Sequence, residues 1–111
     1  MVGYDGSDAS IRALDVAADL VGYGSTLAVV TVRTTASVPS VEPGAREQLQ
    51  GRLVQAGYHE ATGEPATELV EKARELDADL IVIGRGNGQP EPGSVSSKVL
   101  RRADCDVLVV R

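Results

Sequence analysis

Leu80 to Leu100, LIVIGRGNGQPEPGSVSSKVL, is the stretch whose reading decides the fold. Leu80-Ile81-Val82-Ile83 is a short continuous apolar run, the mark of a parallel strand buried on both faces. Gly84 to Gly93 carries four glycines and two prolines in ten positions and reads as a loop. Ser94 then opens a helix with Val95, Val99 and Ala103 at i, i+4 and i+8 on one face. A strand, a glycine-rich turn and a serine-capped helix together make an anion site. Glycines let backbone N–H groups approach a ligand, and the helix N-terminus adds unpaired donors and a favourable dipole. The segment therefore points to a phosphate-bearing ligand over Gly93 and Ser94. It also reads as a plain connection in which Ser94 does no more than cap the helix.

The remainder of the chain repeats the alternation. Val2-Gly3-Tyr4 is a first strand, ended by Asp5-Gly6-Ser7-Asp8, with Ser7 or Asp8 as helix cap. The first helix places Ile11, Leu14, Ala18 and Val21 on one stripe and stops at Gly22-Tyr23-Gly24. Leu27 to Val32 is a second apolar strand, and Arg33 to Pro43 a connection. A second helix is expected to carry Ala45, Leu49, Leu53 and Ala56 in one stripe. Tyr58 to Thr62 is a third strand, placed at a sheet edge by His59 and Glu60. Pro65 starts a third helix with Ala66, Leu69, Val70, Ala73 and Leu76 inward. Glu64, Glu68, Glu71 and Glu75 lie outward, with Glu68 and Lys72 spaced for an i, i+4 pair. Val107 to Val110 is a fifth strand. Alternating strands and helices argue for an α/β parallel sheet with helices on both faces, built as one domain over 1–111.

Composition narrows the function. The chain has 111 residues, 42% of them hydrophobic, one cysteine and a net charge of −5. A disulfide framework and a disordered chain are excluded, and a reducing cytoplasm is expected. No apolar run has the length of a membrane span, and Met1 leads directly into a strand without a signal peptide. The acidic balance, with no Trp or Phe and three Tyr, argues against nucleic acid.

Ligands of open α/β sheets bind beyond the carboxyl ends of the strands, where the strand order reverses. If the first and fourth strands are neighbours, Asp5 faces the glycine loop across one crevice. There it would accept hydrogen bonds from ribose hydroxyls; the alternative is a turn residue bonding its own backbone.

Val2-Gly3-Tyr4-Asp5-Gly6-Ser7, Gly63-Glu64-Pro65, Ala78 to Gly84, Gly93-Ser94-Val95-Ser96 and Ala103 to Val110, in that order, closely resemble the universal stress protein domain. The resemblance covers the whole chain. It implies a three-layer Rossmann-like fold of the adenine nucleotide alpha hydrolase type, with strand order 3-2-1-4-5. It also implies cytoplasmic residence, dimers through the last strand, and two branches, one binding ATP. Carried over from that branch, Asp5 would meet the ribose or adenine, and Val32 would contact adenine through its backbone. Gly84 would start the phosphate loop with Gly86 or Gly88 as its second glycine, while Gly93, Ser94, Val95 and Ser96 cradle the phosphates. Gly84 and Gly93 are nine positions apart where the branch pattern sets thirteen, so the arm that wraps the phosphates is short.

Other signatures fit less well. Gly88 to Ser94 has P-loop glycine spacing without the lysine, and Gly84 to Gly88 is no dinucleotide fingerprint. Arg85 is the one cation inside the loop, placed to touch phosphate or to face solvent. His59 reads as a surface strand residue and Cys105 as a small buried hydrophobe. No nucleophile, base and orienter come together, so an enzyme is not expected, slow ATP hydrolysis aside. The reading is a cytoplasmic stress-response protein binding ATP or another adenine nucleotide, with or without Mg²⁺. The alternative is a dimeric interaction module of the same fold that binds none.

Overall fold

A computed structural model describes residues 1–22, 24–86 and 94–111. Gly88 and Gly93, both named above, lie outside the described residues, as does Tyr23. The elements run β1 (Val2–Gly3), α1 (Asp8–Leu20), β2 (Thr26–Arg33), α2 (Glu42–Leu49), β3 (Gln55–Thr62), α3 (Pro65–Glu75), β4 (Leu80–Gly84), α4 (Val95–Arg102) and β5 (Asp106–Val110). The five strands form one all-parallel sheet in the order β3-β2-β1-β4-β5, as the sequence led us to expect.

Apolar runs without alternation become strands covered on both faces. Val29, Val30, Ile81, Val82 and Ile83 are all buried. Leu27, Val29 and Val82 pack with Leu14 and Ala17 of α1 and Leu49 of α2. Val30, Ile81 and Ile83 pack on the other face with Leu69 and Val70 of α3 and Val99 of α4. β1 sits in the middle, with Val2 in register with Val29 on one side and Val82 on the other.

Local signals set the helix starts. Ser7 caps α1 by accepting from the Ser10 N–H at 3.2 Å, and Ser94 caps α4 by accepting from the Ser97 N–H at 3.2 Å. Glu64 caps α3, with Pro65 at its first position. β3 lies at the sheet edge as expected, although it begins three residues earlier, at Gln55.

Three sequence expectations need correction. The second helix ends at Leu49, because Gly51 takes a left-handed conformation (φ +84°) just beyond it. Leu53 therefore stands fully in solvent and Ala56 belongs to β3, so the spacing of Leu49, Leu53 and Ala56 only imitated a helical stripe. Ile11 and Val95 are over a third exposed, and the buried faces of their helices run through Ala13, Leu14 and Ala17, and through Ser96 and Val99. Lys72 pairs with Glu75 at 2.8 Å rather than with Glu68.

Gly84 has a packing reason to be glycine. A Cβ there would lie 2.6 Å from the Ala9 carbonyl carbon and 2.7 Å from its oxygen, so the first turn of α1 rests directly on the end of β4. Gly84→Ala is expected to cost about 1–3 kcal/mol in urea unfolding by forcing α1 off the sheet. A variant as stable as the parent would show that α1 can move away without loss.

Candidate functional site

Beyond the carboxyl ends of β1, β2 and β4 lies a cavity of about 200 Å³. Its apolar side is made by Val30 and Val32 of β2, Ile83 of β4, and Pro65 and Leu69 of α3. Its polar rim is Asp5, Ser7, Gly84, Arg85, Gly86 and the start of α4, Ser94 to Ser96. The sequence-chosen residues Asp5, Val32, Gly84, Gly86, Ser94, Val95 and Ser96 are thus brought around one space.

Topology explains the convergence. In a parallel sheet with the order 3-2-1-4-5, the chain leaves β1 toward one side and β4 toward the other, and a crevice opens between them. The turn after β1 is shaped by its own hydrogen bonds. The Asp5 carboxylate accepts from the Ser7 N–H at 2.9 Å, and the Ser10 hydroxyl donates to the Ser7 carbonyl at 3.0 Å. Asp5 is therefore a turn residue bonding its own backbone, and it also stands on the cavity rim. Burial works to raise its pKa, but hydrogen bonds from Ser7 and Ser10 outweigh it and hold the carboxyl below the ordinary value.

At the opposite rim the Ser94 hydroxyl is committed to capping, with Ser97 as its partner. The main-chain N–H groups of Val95 and Ser96 have no partner among the described residues, as the first turn of a helix dictates. These donors point to an anion with both charge and hydrogen bonding in their favour.

Glu64 fixes the two walls against each other. Its carboxylate accepts from the Thr67 N–H at 3.0 Å and faces Arg102 of α4 at 3.4 Å and Lys98 at 3.7 Å. The Thr67 hydrogen bond, the largest influence, lowers its pKa; desolvation opposes it, and the Ala66 N–H and the two cations lower it further. On the far side Arg33 bonds Glu60 at 2.6 Å and the Val38 carbonyl at 3.1 Å, holding the segment after β2 beside Val32. Ser40 also donates to Glu60.

A family model described as "Universal stress protein family" matches residues 1–111. The chain belongs to the universal stress protein family. It is 33% identical to universal stress protein YxiE of Bacillus subtilis, over 143 aligned positions that take in 100% of this chain and 97% of the relative. A crystal structure of a universal stress protein in complex with cAMP superposes with a TM-score of 0.85 at 33% identity, covering 99% of this chain and 93% of that one. The universal stress protein of Archaeoglobus fulgidus in complex with dAMP gives 0.80 at 25% identity, covering 99% and 94%.

Sequence reasoning did not place Pro65, Leu69 or Ser10 at the site of this universal stress protein. The first two were assigned to helix start and core, and both follow from α3 beginning at the same sheet end. Ser10, 4% exposed, carried a signal in its i, i+3 spacing from Ser7. His59 and Cys105 do not line the cavity, and no group of three His, Cys, Asp or Glu among the described residues could hold a metal. No described helix is long and apolar enough to cross a membrane.

Glu64 and Asp5 both have folded-state pKa values below the ordinary carboxylate value. Their contribution is therefore present above the unfolded pKa, about 4, and lost as pH falls through the lower folded value. Thermal stability is expected to stay level from neutral pH to about pH 5 and to drop below about pH 4. Glu64→Gln should flatten that acid limb and cost less than about 1 kcal/mol at neutral pH, since the pair is exposed. An unchanged acid limb in a melting series would remove Glu64 from the account.

Proposed function

We propose that this universal stress protein, as one domain in the cytoplasm, binds an adenine nucleotide in the cavity and serves a sensing or stress-response role without fast turnover. The observation that carries the reading is the placement of the open Val95 and Ser96 N–H groups opposite Asp5, with an apolar slot of Val30, Val32 and Leu69 between them. The slot suits a purine, Asp5 suits ribose hydroxyls, and the α4 terminus suits phosphate. Gly84, Gly86 and Gly93 would let the loop approach the phosphates. The related structures with cAMP and dAMP support an adenine ligand.

ATP, ADP and AMP all carry the features this arrangement would read, with Mg²⁺ as companion of the longer phosphates. The cavity volume of about 200 Å³ lies below the roughly 300–1,000 Å³ of common ligand pockets, which favours a small nucleotide held with part of its length outside. The rim supports binding rather than catalysis. Asp5 is an acid held ionised by its turn, hence a weak base, and His59, the lone histidine, stands elsewhere.

A homodimer through β5 belongs to the same proposal. β5 ends the sheet, and its Leu108 is 37% exposed. Pairing with a second copy would cover an apolar edge that otherwise invites aggregation.

Calorimetric titration of dialysed protein with AMP and with ATP and Mg²⁺ is expected to show saturable binding, weakened about tenfold by Asp5→Ala through loss of a charged hydrogen bond. No heat with either nucleotide at millimolar concentration would overturn the reading and favour a dimeric interaction module. Light scattering at micromolar concentration should give twice the chain mass, and a strict monomer would sink the dimer.

A further inference from the structure

The connection from β2 to α2, residues 34–41, is mostly exposed and holds no helix or strand, yet it is tied down along its length. Arg33, the last residue of β2, donates through one terminal nitrogen to the Val38 carbonyl at 3.1 Å and the Ala36 carbonyl at 3.4 Å. Its other terminal nitrogen bonds one Glu60 carboxylate oxygen at 2.6 Å, and the Ser40 hydroxyl donates to the second. The same hydroxyl accepts from the Glu42 N–H at 3.2 Å, where α2 begins. One guanidinium and one carboxylate thus join the end of β2, the edge strand β3, the connection and the start of α2.

The pair does little for stability, since both side chains keep over a quarter of their surface in water. What it supplies is position. The connection ends at Val41, whose side chain packs against the core and also lies over Gly6, where an added Cβ would meet Val41 Cγ1 at 3.6 Å. Gly6 takes a left-handed conformation (φ +85°) between Asp5 and Ser7, both on the rim of the cavity. The turn aims the Asp5 carboxylate, which accepts from the Ser7 N–H. At the other end of the connection, Val32 lines the cavity beside Arg33, and the Arg33 carbonyl accepts from the Gly63 N–H at 2.8 Å. The end of β2 is thereby pinned to β3.

We propose that Arg33, Glu60 and Ser40 are positioning residues for the Asp5 turn. Their network sets where Val41 rests on Gly6, and through it where the Asp5 carboxylate meets the ribose hydroxyls of a bound nucleotide. The inference rests on the nucleotide reading above and adds to it residues outside the cavity that govern how the sugar is read. Arginine suits the centre of such a network, because its planar guanidinium fixes the directions of several donors at once. The contact it serves is sensitive to small displacements, since a hydrogen bond weakens steeply away from its preferred angle.

The test is the ratio of AMP to 2′-deoxy-AMP affinity, measured by calorimetry at neutral pH, because the two ligands differ by one ribose hydroxyl. The parent should favour AMP about tenfold, as one hydrogen bond to a charged group would give. Arg33→Gln, Glu60→Gln and Ser40→Ala should each bring the ratio close to one, while Ser40→Thr, which keeps the hydroxyl, should retain it. In an Asp5→Ala background the same changes should leave the ratio where Asp5→Ala has put it, because they act through that carboxylate. Arg74→Gln breaks an exposed pair with Asp104, remote from the connection, and should not move the ratio. A ratio that survives Arg33→Gln and Glu60→Gln would overturn the positioning role and leave nucleotide binding in place. Equal loss of affinity for both ligands would make the network structural only and overturn the role as well, as would a parent that binds the two alike. Failure of the parent to bind either ligand would remove this inference together with the reading beneath it.

Discussion

Val2 and Gly3 hydrogen-bond to strands on both sides, and the molecule is arranged by that pairing. β1 is two residues long, yet it joins β2 to β4 across the centre of the sheet. The Val82 N–H donates to the Met1 carbonyl at 2.8 Å and the Tyr4 N–H to the Val30 carbonyl at 2.9 Å, so the pairing extends one residue past each end of the strand. With β1 fixed there, the turn from Asp5 to Ser7 must open toward the ends of β2 and β4. Displacing β1 would separate the two core layers and dissolve the crevice together, since Val2 belongs to one core and Gly3 lies where an added Cβ would meet Leu69 of the other at 3.2 Å.

The groups around the crevice serve the fold before they serve any ligand. Ser94 caps α4, Asp5 closes the turn after β1, and Gly84 lets α1 rest on β4. A hydroxyl or carboxylate committed in this way sits at a fixed place, which lowers the ordering cost of a later contact. The uncommitted donors are those that a helix cannot satisfy for itself, the N–H groups of Val95 and Ser96. Capping by Ser94 leaves the next N–H groups open, so a cap and the proposed anion site are compatible uses of one helix end.

How far the sequence carried the fold can be judged element by element. Continuous apolar runs gave β2, β4 and β5 within one or two residues; β4 is buried on both faces and leaves no alternation, while β5 kept an apolar run although it lies at the sheet edge. The helix starts at Ser7, Glu64 and Ser94 were visible because capping is chemistry local to a few residues. The second helix was overdrawn because Leu53 falls where a periodic stripe would want it, while the left-handed turn at Gly51 leaves no periodic trace. The site was legible on its polar side, where residue types announce their chemistry. Its apolar side was hidden, since Leu69 and Val30 look like any other core residue until the topology aims them at the same space.

Parallel strands joined by crossover helices place every helix N-terminus at the end where the strands finish. α1, α3 and α4 all begin around this crevice, and each first turn adds partial positive charge to it. Attraction for an anion is therefore a general property of the architecture and cannot select one nucleotide over another. Selection has to come from what the individual termini carry. At α3 the terminus is occupied by Glu64, which turns its dipole toward holding α4 in place. At α4 the donors remain open, and at α1 Ser7 fills the cap. For the proposed ligand, charge from the fold would supply the attraction, and the differences among three helix starts would supply the selection.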